Sequence, residues 1–302
     1  MPNLKDIKNR IVSVQNTQKI TKAMKMVAAA KVKKAETSVK ASRPFSNELL
    51  SMFKKMLTTI GELKNSGLAF ERALDNFPEL LTKREIKSVG LVVVTSNKGL
   101  AGAFNANIVR KVTNKINEYS EQGISTVLYI VGQKGISAFQ HKSDVNLAKK
   151  YISAADNPSF SNANMIAEDL ADDFVAGTID KIEIVTTRFN NMMSYSIQDW
   201  TLLPLEAEFV KDDTEPHPLM EFIPNTYSIL KKLVPMFIVN SIFQALLESS
   251  ASELASRMTA MSAASNNAEE MINTLTIAYN KARQGAITQE LTEIVSGADA
   301  QG

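Results

Sequence analysis

The stretch of sequence that decides the fold runs from Leu247 to Ala286 and reads LESSASELASRMTAMSAASNNAEEMINTLTIAYNKARQGA. Apolar or small residues recur in it at steps of four and three in strict alternation, which is the heptad spacing of a coiled-coil seam. An ordinary amphipathic helix follows a 3.6-residue period and would drift across this stripe. We therefore predict a coiled-coil helix over residues 225–302, with a partner helix packed closely along it. The predicted seam consists of Leu247, Ala251, Leu254, Met258, Met261, Ser265, Ala268, Ile272, Leu275, Tyr279, Ala282 and Ala286.

Residues 1–63 supply the partner. Between Leu4 and Leu63 the only helix-breaking residues are Pro44 and Gly61, and we expect Pro44 to kink or split the helix because proline removes one backbone hydrogen bond. Ten Lys and Arg face two acidic residues in the first forty positions, whereas acidic residues slightly outnumber basic ones from Asn225 onward. The apolar positions are Leu4, Ile7, Ile11, Val14, Ile20, Met24, Val27, Leu49, Phe53, Met56 and Ile60. Two long helices of complementary charge at opposite ends of a chain predict an antiparallel pair that carries the middle as an insertion.

The middle of the chain has a different period. Residues 64–87 carry little signal and are interpreted as a linker, whereas 88–203 alternate short apolar runs with helical patterns, which is typical of an open α/β, Rossmann-like sheet. A proline-rich surface loop is predicted over 204–224. The predicted buried strands are Ser88–Thr95, Thr126–Val131 and Lys181–Phe189, the helices are Phe104–Gln122, Gly132–Phe139 and Asn162–Ala176, and Tyr195–Leu203 is an antiparallel edge strand after a hairpin.

Composition excludes several classes of protein. The longest apolar runs, such as Val234–Val239, are far shorter than the roughly 18 residues of a membrane-spanning helix, so we predict none. The N-terminus shows no signal or transit segment, which predicts a protein that stays where it is made. Because the chain has no cysteine, disulfides and thiolate nucleophiles or metal sites are excluded.

A glycine-bearing turn offers the best candidate for a nucleotide site. The turn from Ser96 to Asn105 reads SNKGLAGAFN and lies where a strand feeds a helix, a place where backbone N–H groups can approach phosphate. It lacks the lysine followed by Ser or Thr of a P-loop, and its three-glycine fingerprint is incomplete. A structural turn is favoured, and a nucleotide-dependent α/β enzyme that uses Gly99 stays an alternative.

No residue pattern indicates catalysis or metal binding. The only histidines, His141 and His217, have no partner at ligand spacing, and the paired carboxylates are adjacent in sequence, where helix positions do not face each other. We therefore predict no catalytic residue, no metal and no cofactor. A nucleic-acid protein that uses the basic first helix is a second alternative. Its lysines occupy several faces without interleaved aromatics, which disfavours that function.

Two long motifs at the ends of the chain resemble the gamma subunit of the rotary ATP synthase. They are LKDIKNRIVSVQNTQKITKAMKMVAAAK from Leu4 and YNKARQGAITQELTEIVSGADA from Tyr279, and the segment FQALLESSASE from Phe243 and the turn at Gly99 match as well. Two positions depart from the family pattern. Ala101 stands where the family turn usually has cysteine, and Lys25 stands where a glutamate is common between two methionines.

The resemblance implies a non-catalytic shaft. Its coiled coil would lie inside a ring of three alpha and three beta subunits, and its α/β foot domain would bind the epsilon subunit and the membrane c-ring. Ion flow would turn the c-ring, and the shaft would force each beta site in turn through the states that make ATP. The implied location is peripheral, on the cytoplasmic face of the bacterial inner membrane, with membrane association only through the complex and no nucleic acid.

The resemblance also implies which residues touch the surrounding ring. They are Met24, Lys25, Arg257, Arg283, Gln284, Thr288 and Glu290. With the charge pattern, it predicts that Met24 lies near the level of Arg257. The partner helix would then end before the C-terminus, so residues after about Ile287 are predicted to form a single helix that enters an apolar sleeve. The apolar stripe of this tip is Ile287, Leu291, Ile294 and Val295.

Overall fold

The computed structural model describes residues 4–65, 80, 84–142, 145–204 and 226–299. The chain divides into two compact units. Unit 1 combines Met1–Ala30 with Arg257–Gly302, and unit 2 is Lys31–Ser256. This division cuts both terminal helices, so the parts of those helices nearest the middle of the chain belong with the sheet. The predicted linker (64–87) and the predicted loop (204–224) lie mostly outside the described residues.

Two long helices open and close the chain. Helix α1 spans Leu4–Asn65 and helix α6 spans Thr226–Asp299. Of the kink or split expected at Pro44, the split is wrong, because the helix continues through this residue. The neighbours of Pro44 explain why. Ser42, Arg43 and Ser46 all hydrogen-bond to α6, so tertiary contacts hold this part of the helix despite the missing backbone donor.

The middle of the chain forms one five-stranded sheet. Its strands are β1 (Ser88–Val94), β2 (Ser125–Val131), β3 (Asn146–Tyr151), β4 (Lys181–Asn191) and β5 (Ser194–Leu203). Their order is β3-β2-β1-β4-β5, with all pairs parallel except β4 and β5. The predicted fold class, long terminal helices around an inserted open α/β sheet, is confirmed. Of the five strands, β3 alone was not predicted from the sequence.

Helices cover both faces of the sheet. Alternate residues of β1 point to opposite faces, as the pleat of a strand requires. Val92 and Val94 pack with α1, α6 and α5 (Phe160–Val175), whereas Leu91 and Val93 pack with α2 (Phe104–Glu121) and α3 (Gln133–Phe139). The short helix α4 (Ser153–Asp156) follows β3. Buried apolar side chains on both faces therefore make unit 2 a three-layer α/β/α structure.

One segment of α6 has the length and composition of a membrane-spanning helix. Among the described residues it is the only such helix, within Ser228–Ser296, and 56% of its most apolar window is buried in the protein. The sequence argument missed this window because it counted only uninterrupted apolar runs. A helix that packs into the core of a protein meets the same criteria, and Leu230, Val234 and Ile242 of this segment are fully buried in unit 2.

Candidate functional site

In unit 1 the C-terminal half of α6 buries a single narrow stripe. From Glu269 to Ser296 every residue is exposed except five at spacings of three and four. These five are Ile272, Leu275, Tyr279, Ala282 and Ala286. The stripe continues toward unit 2 through Met258, Met261, Ser265 and Ala268, all buried or half-buried. The residues that the sequence assigned to the seam therefore form one continuous face of the helix.

The N-terminal half of α1 carries a matching stripe. Its residues recur at steps of three and four, and they are buried or half-buried, unlike most of their neighbours. They are Leu4, Ile7, Ile11, Val14, Gln18, Thr21, Met24 and Ala28. Ile20 and Val27, which looked like packing positions in the sequence, are 60% and 57% exposed. Small and polar residues at Thr21 and Ala28 occupy the buried positions instead, because the heptad position rather than hydrophobicity decides which side is covered.

Hydrogen bonds in unit 2 fix the orientation and register of the two helices. The Ser42 hydroxyl donates to Oε1 of Gln244 (2.6 Å), the Arg43 Nε donates to Oε1 of Glu248 (2.7 Å), and the Asn240 Nδ2 donates to the Ser46 hydroxyl (3.0 Å). A higher residue number on α1 thus accompanies a lower one on α6. The helices run antiparallel.

The level of Met24 on α6 stays a prediction, because these hydrogen bonds lie in unit 2 and Met24 lies in unit 1. Charge and resemblance predict a level near Arg257. Extended at equal rise per residue, the pairings of unit 2 would instead predict a level between Ser262 and Asn267, a range that contains the seam residue Ser265.

Met24 lies in the covered stripe of α1, whereas the other residues predicted to contact a surrounding ring lie beside the seam. Met24 and Arg257 are half-buried, whereas the remaining five are exposed. The backbone carbonyl of Thr288 accepts a hydrogen bond from the Thr292 hydroxyl within the helix (2.8 Å). The exposed five are Lys25, Arg283, Gln284, Thr288 and Glu290. The two helices thus do not use these five side chains to pack, which leaves them accessible to another chain.

The tip of α6 presents an apolar stripe to solvent. Burial along the seam ends at Ala286, and the helix continues to Asp299. Ile287, Leu291, Ile294 and Val295 are between 48% and 68% exposed. Four exposed aliphatic residues on one side of a helix form a surface that a partner can cover.

A partly buried ion pair joins α1, α6 and β4. The Arg43 guanidinium binds both carboxylate oxygens of Glu248, with Nε at 2.7 Å from Oε1 and Nη2 at 2.9 Å from Oε2. Nη2 also donates to the carbonyl of Phe189 (2.6 Å), and the Phe189 N–H donates to Oε2 of Glu248 (2.8 Å). The hydrogen bond to Glu248 raises the pKa of Arg43. Sequence analysis missed this cluster; its one signal was a charged residue, Glu248, inside an apolar helical run.

The glycine-bearing turn after β1 uses its polar groups internally. The Ser96 N–H donates to Oδ1 of Asn105 (3.1 Å) and the Ser96 hydroxyl donates to the carbonyl of Lys98 (2.8 Å). The Asn97 side chain bridges two other loops, since its Nδ2 donates to the carbonyl of Ile152 (2.9 Å) and its Oδ1 accepts from the N–H of Gln133 (2.9 Å). These bonds favour the structural role of the turn over phosphate binding.

The same turn is also hydrogen-bonded to α6. Ala101 is buried, and its carbonyl accepts a hydrogen bond from the Ser256 hydroxyl (2.6 Å). Leu100 beside it adopts a left-handed conformation (φ 64°) and is exposed, which is uncommon for a leucine. The Ala101 methyl stands where the resembling family usually has a thiol, so in this chain the position contributes packing and a backbone acceptor.

Among the described residues, no group of three or more His, Asp or Glu residues is placed to hold a metal ion.

One further surface feature is the hairpin between β4 and β5. It turns at Met192 and Met193, and Met193 is 83% exposed. The Asn191 Oδ1 accepts hydrogen bonds from the N–H groups of Met193 and Ser194, which fixes this hairpin tip.

Comparison with known proteins identifies the family. A family model described as ATP synthase matches residues 3–301. The chain is similar to the ATP synthase gamma chain of Nostoc punctiforme, at 42% identity over 99% of each chain. It is also similar to that of Picosynechococcus, at 41% identity over 99% of this chain and 100% of the other, and to that of Heliobacterium modesticaldum, at 39% identity over the full length of both.

Solved structures agree with this result. A chain of the Tetrahymena thermophila mitochondrial ATP synthase, from its central stalk and c-ring, matches with a TM-score of 0.60 and 31% identity, covering 82% of this chain and 99% of that one. A chain from the Euglena gracilis mitochondrial ATP synthase matches with a TM-score of 0.65, over 99% of this chain and 94% of that one; at 19% identity it supports the fold alone. The resemblance of the end motifs is thereby confirmed, and the chain belongs to the ATP synthase gamma chain family.

Proposed function

We propose that this rotor subunit of ATP synthase is a non-catalytic shaft, whose two-helix coiled coil turns inside a ring of three alpha and three beta subunits. The observation that carries the proposal is the end of the seam. The apolar seam of α6 is covered up to Ala286, whereas the helix runs on to Asp299 with four aliphatic side chains exposed. A water-exposed aliphatic stripe is unfavourable in an isolated chain, and an apolar sleeve at the centre of a ring would cover it.

A shaft of this kind drives chemistry without touching a substrate. A binding partner shifts a conformational equilibrium only by its difference in affinity for the two states. The exposed residues beside the seam would supply such differences, because rotation of the shaft would bring each of them to a beta subunit at some angles and away from it at others. Arg283, Gln284, Thr288 and Glu290 are the proposed contacts at the tip, and Met24, Lys25 and Arg257 are the proposed contacts farther along the shaft.

Unit 2, the sheet unit, is the proposed foot domain of the shaft. The matched Tetrahymena chain comes from a central stalk and c-ring assembly, and the similar relatives include bacterial gamma chains. We infer that the sheet unit of this chain binds the epsilon subunit and the c-ring. The chain would then be peripheral, on the cytoplasmic face of the bacterial inner membrane, and would be held there only through the complex.

A rotation assay tests the function. The chain has no cysteine, so His141→Cys, in the exposed turn that follows α3, provides one attachment point for a gold rod on unit 2. The labelled chain is assembled with alpha and beta subunits that are fixed to a surface through the beta subunits. We expect the rod to turn in one direction in three equal steps per revolution when ATP is added. An assembly that hydrolyses ATP while the rod stays still would contradict the proposal.

A further inference from the structure

Two polar attachments connect α6 to the sheet at the point where the helices leave unit 2. The first is the Arg43–Glu248 pair, whose atoms also bond to both the N–H and the carbonyl of Phe189 on β4. The second is the hydrogen bond from Ser256 to the carbonyl of Ala101, in the turn after β1. Glu248 and Ser256 are eight residues apart, which corresponds to about 12 Å along α6. The end of β4 and the turn after the neighbouring strand β1 are therefore linked by polar contacts to the same helix at two positions along its length.

The first attachment also includes α1. Arg43 belongs to α1, Glu248 to α6 and Phe189 to β4, so one cluster ties both shaft helices to the sheet. The ring of Phe189 packs with Val39 of α1 and Ala251 of α6 in a small apolar cluster. A bidentate guanidinium–carboxylate pair fixes relative orientation as well as distance, because its two hydrogen bonds are parallel and planar.

Apolar contacts alone do not provide this directionality. In the parts of α1 and α6 nearer the middle of the chain, the two helices pack on the sheet through side chains such as Phe53, Phe237 and Ile242. Hydrophobic attraction depends on the area removed from water and has no preferred direction, so small rotations of a helix against the sheet change it little. The directional bonds at Glu248 and Ser256 resist such rotation.

We propose that the Arg43–Glu248–Phe189 cluster and the Ser256–Ala101 hydrogen bond together form the joint that transmits torque between the sheet and the segments of α1 and α6 that belong to unit 2. This inference rests on the proposed function as a rotor. Arg43 and Glu248 are positioning residues in this joint, since they fix the orientation of these two helix segments against the sheet without meeting a substrate. The two attachments resist rotation of α6 at two positions along the helix, so their torsional stiffnesses add.

The test measures the stiffness of the joint in the assembled complex. The rod on His141→Cys reports the angle of the sheet unit while the shaft is stalled in the surface-fixed ring, and the variance of that angle is inversely proportional to torsional stiffness. The variant Arg43→Met with Glu248→Leu removes the pair without leaving a buried charge, a replacement that often preserves stability. Because one of two parallel attachments is lost, we expect the angular variance to rise by about twofold at unchanged Tm of the isolated chain.

Three further variants separate the joint from general effects. Lys115→Met with Glu183→Gln removes a more deeply buried ion pair, which joins α2 to β4 rather than α1 to α6, and we expect unchanged variance. Arg43→Lys keeps the charge but not the planar fork, so we expect a larger variance as well. Ser256→Ala removes the second attachment without changing any charge, and it tests the joint even where the double variant fails to fold.

The possible outcomes are distinct. Unchanged variance in both the Arg43→Met, Glu248→Leu variant and the Ser256→Ala variant, each assembled and folded, would overturn the joint. An equal rise in the Lys115→Met, Glu183→Gln control would also overturn it, because softening would then be general. A wild-type assembly whose rod never rotates with ATP would instead refute the proposed function.

Discussion

Lys115 on α2 binds two carboxylates of neighbouring strands at once, with its Nζ 2.6 Å from Oε2 of Glu183 on β4 and 2.7 Å from Oδ2 of Asp199 on β5. Lys115 and Glu183 are only 12% and 6% exposed at the side chain. Lys181 binds the other oxygen of Glu183, at 2.6 Å. This network attaches α2 to the antiparallel pair at one side of the sheet.

We expect Lys115→Met to destabilise unit 2. Removing one partner of a buried ion pair leaves an uncompensated charge, and because Lys181 still neutralises part of it we expect a loss of about 3 kcal/mol in the free energy of unfolding. Urea unfolding followed by the fluorescence of Trp200, the single tryptophan, measures this unit. Lys111→Met is the matched control. Its Nζ lies 3.2 Å from Asp199 but is 42% exposed, so we expect less than about 1 kcal/mol. Equal losses in both variants would show that burial of the pair is unimportant.

The same network predicts a sensitivity to acid. Burial alone would raise the pKa of Glu183, but hydrogen bonds from Lys115 and Lys181 outweigh it and hold the pKa below the ordinary value of 4.5. The pKa of Asp199 is likewise lowered from 3.8, because hydrogen bonds from Lys115 and Lys111 outweigh its burial. The unfolded chain therefore takes up protons first as pH falls.

The stabilisation from both carboxylates is fully present above their ordinary pKa values and is lost as pH falls through the lower values of the folded state. We expect the urea midpoint, followed at Trp200, to be flat near neutral pH and to drop below about pH 4.5. The drop is expected to be smaller in the Lys115→Met, Glu183→Gln variant. A variant with the wild-type acid profile would assign the loss to other carboxylates.

The register of the shaft can be tested by disulfide formation. The background is clean because the chain has no cysteine. Cysteines at Met24 and Ser265 are expected to crosslink under mild oxidation if the register of unit 2 continues along both helices, since a disulfide needs Cα atoms within about 7 Å. The pair Met24→Cys with Arg257→Cys is the control and is expected to stay reduced. Crosslinking only in the control pair would favour the register expected from charge and resemblance.

The contact residues at the tip should affect turnover without affecting stability. We expect Arg283→Ala with Gln284→Ala to lower the ATP turnover of the assembled complex, because both side chains are exposed in this chain and are proposed to meet the beta subunits. The Tm of the isolated chain should be unchanged, as is usual for exposed positions. Gln133→Ala with Ser137→Ala, two exposed residues of α3, should change neither quantity. A large fall in Tm for the tip variant would assign Arg283 and Gln284 to fold stability.

Hydrogen exchange distinguishes the free tip from the enclosed tip. Amides after Ile287 should exchange rapidly in the isolated chain, because a short helix without packing is marginal in water. The same amides should be strongly protected once the alpha and beta subunits surround the shaft. Amides near Ala268, in the covered part of the seam, provide the internal reference in both samples. Equal protection of the tip before and after assembly would contradict the apolar sleeve.

Periodicity made the shaft predictable, and it did so better for one helix than for the other. On α6 the seam positions are Leu, Met, Ile, Tyr, Ala and one Ser, so the four-and-three spacing is visible in the sequence. On α1 the seam passes through Gln18 and Thr21, and the apolar Ile20 and Val27 lie outside it. A search for apolar residues finds the helix and most of its covered face, but it includes Ile20 and Val27 and misses Gln18 and Thr21.

The sheet followed the same rule. Strands β1 and β2 are buried on both faces and read as continuous apolar runs, which made them easy to find. Strand β3 is an edge strand whose exposed positions alternate with less exposed ones, and Lys149 and Lys150 conceal it in the sequence. Charged residues of this kind protect an edge from pairing with other chains.

Pairings between distant parts of the chain were not predictable. Arg43 and Glu248 are 205 residues apart, and nothing in either local pattern indicates the other. Charge balance predicted that the two helices run antiparallel, as the hydrogen bonds of unit 2 show, but it carries no information on which residues pair. The proposed contact residues came from resemblance alone, and the physical observation that bears on them is that five of the seven are exposed.

The exposed hairpin tip gives the molecule a particular response to oxidants. A chain without cysteine offers peroxide only its thioethers, which become polar sulfoxides. Among the described methionines, Met193 is the most exposed, whereas Met261 in the seam is buried. Oxidative damage should therefore start at a surface turn whose conversion costs the interior nothing, and the sulfur atoms between the shaft helices should react last. The exposed Met193 sulfur is thus expected to react with oxidants before the buried Met261 sulfur does.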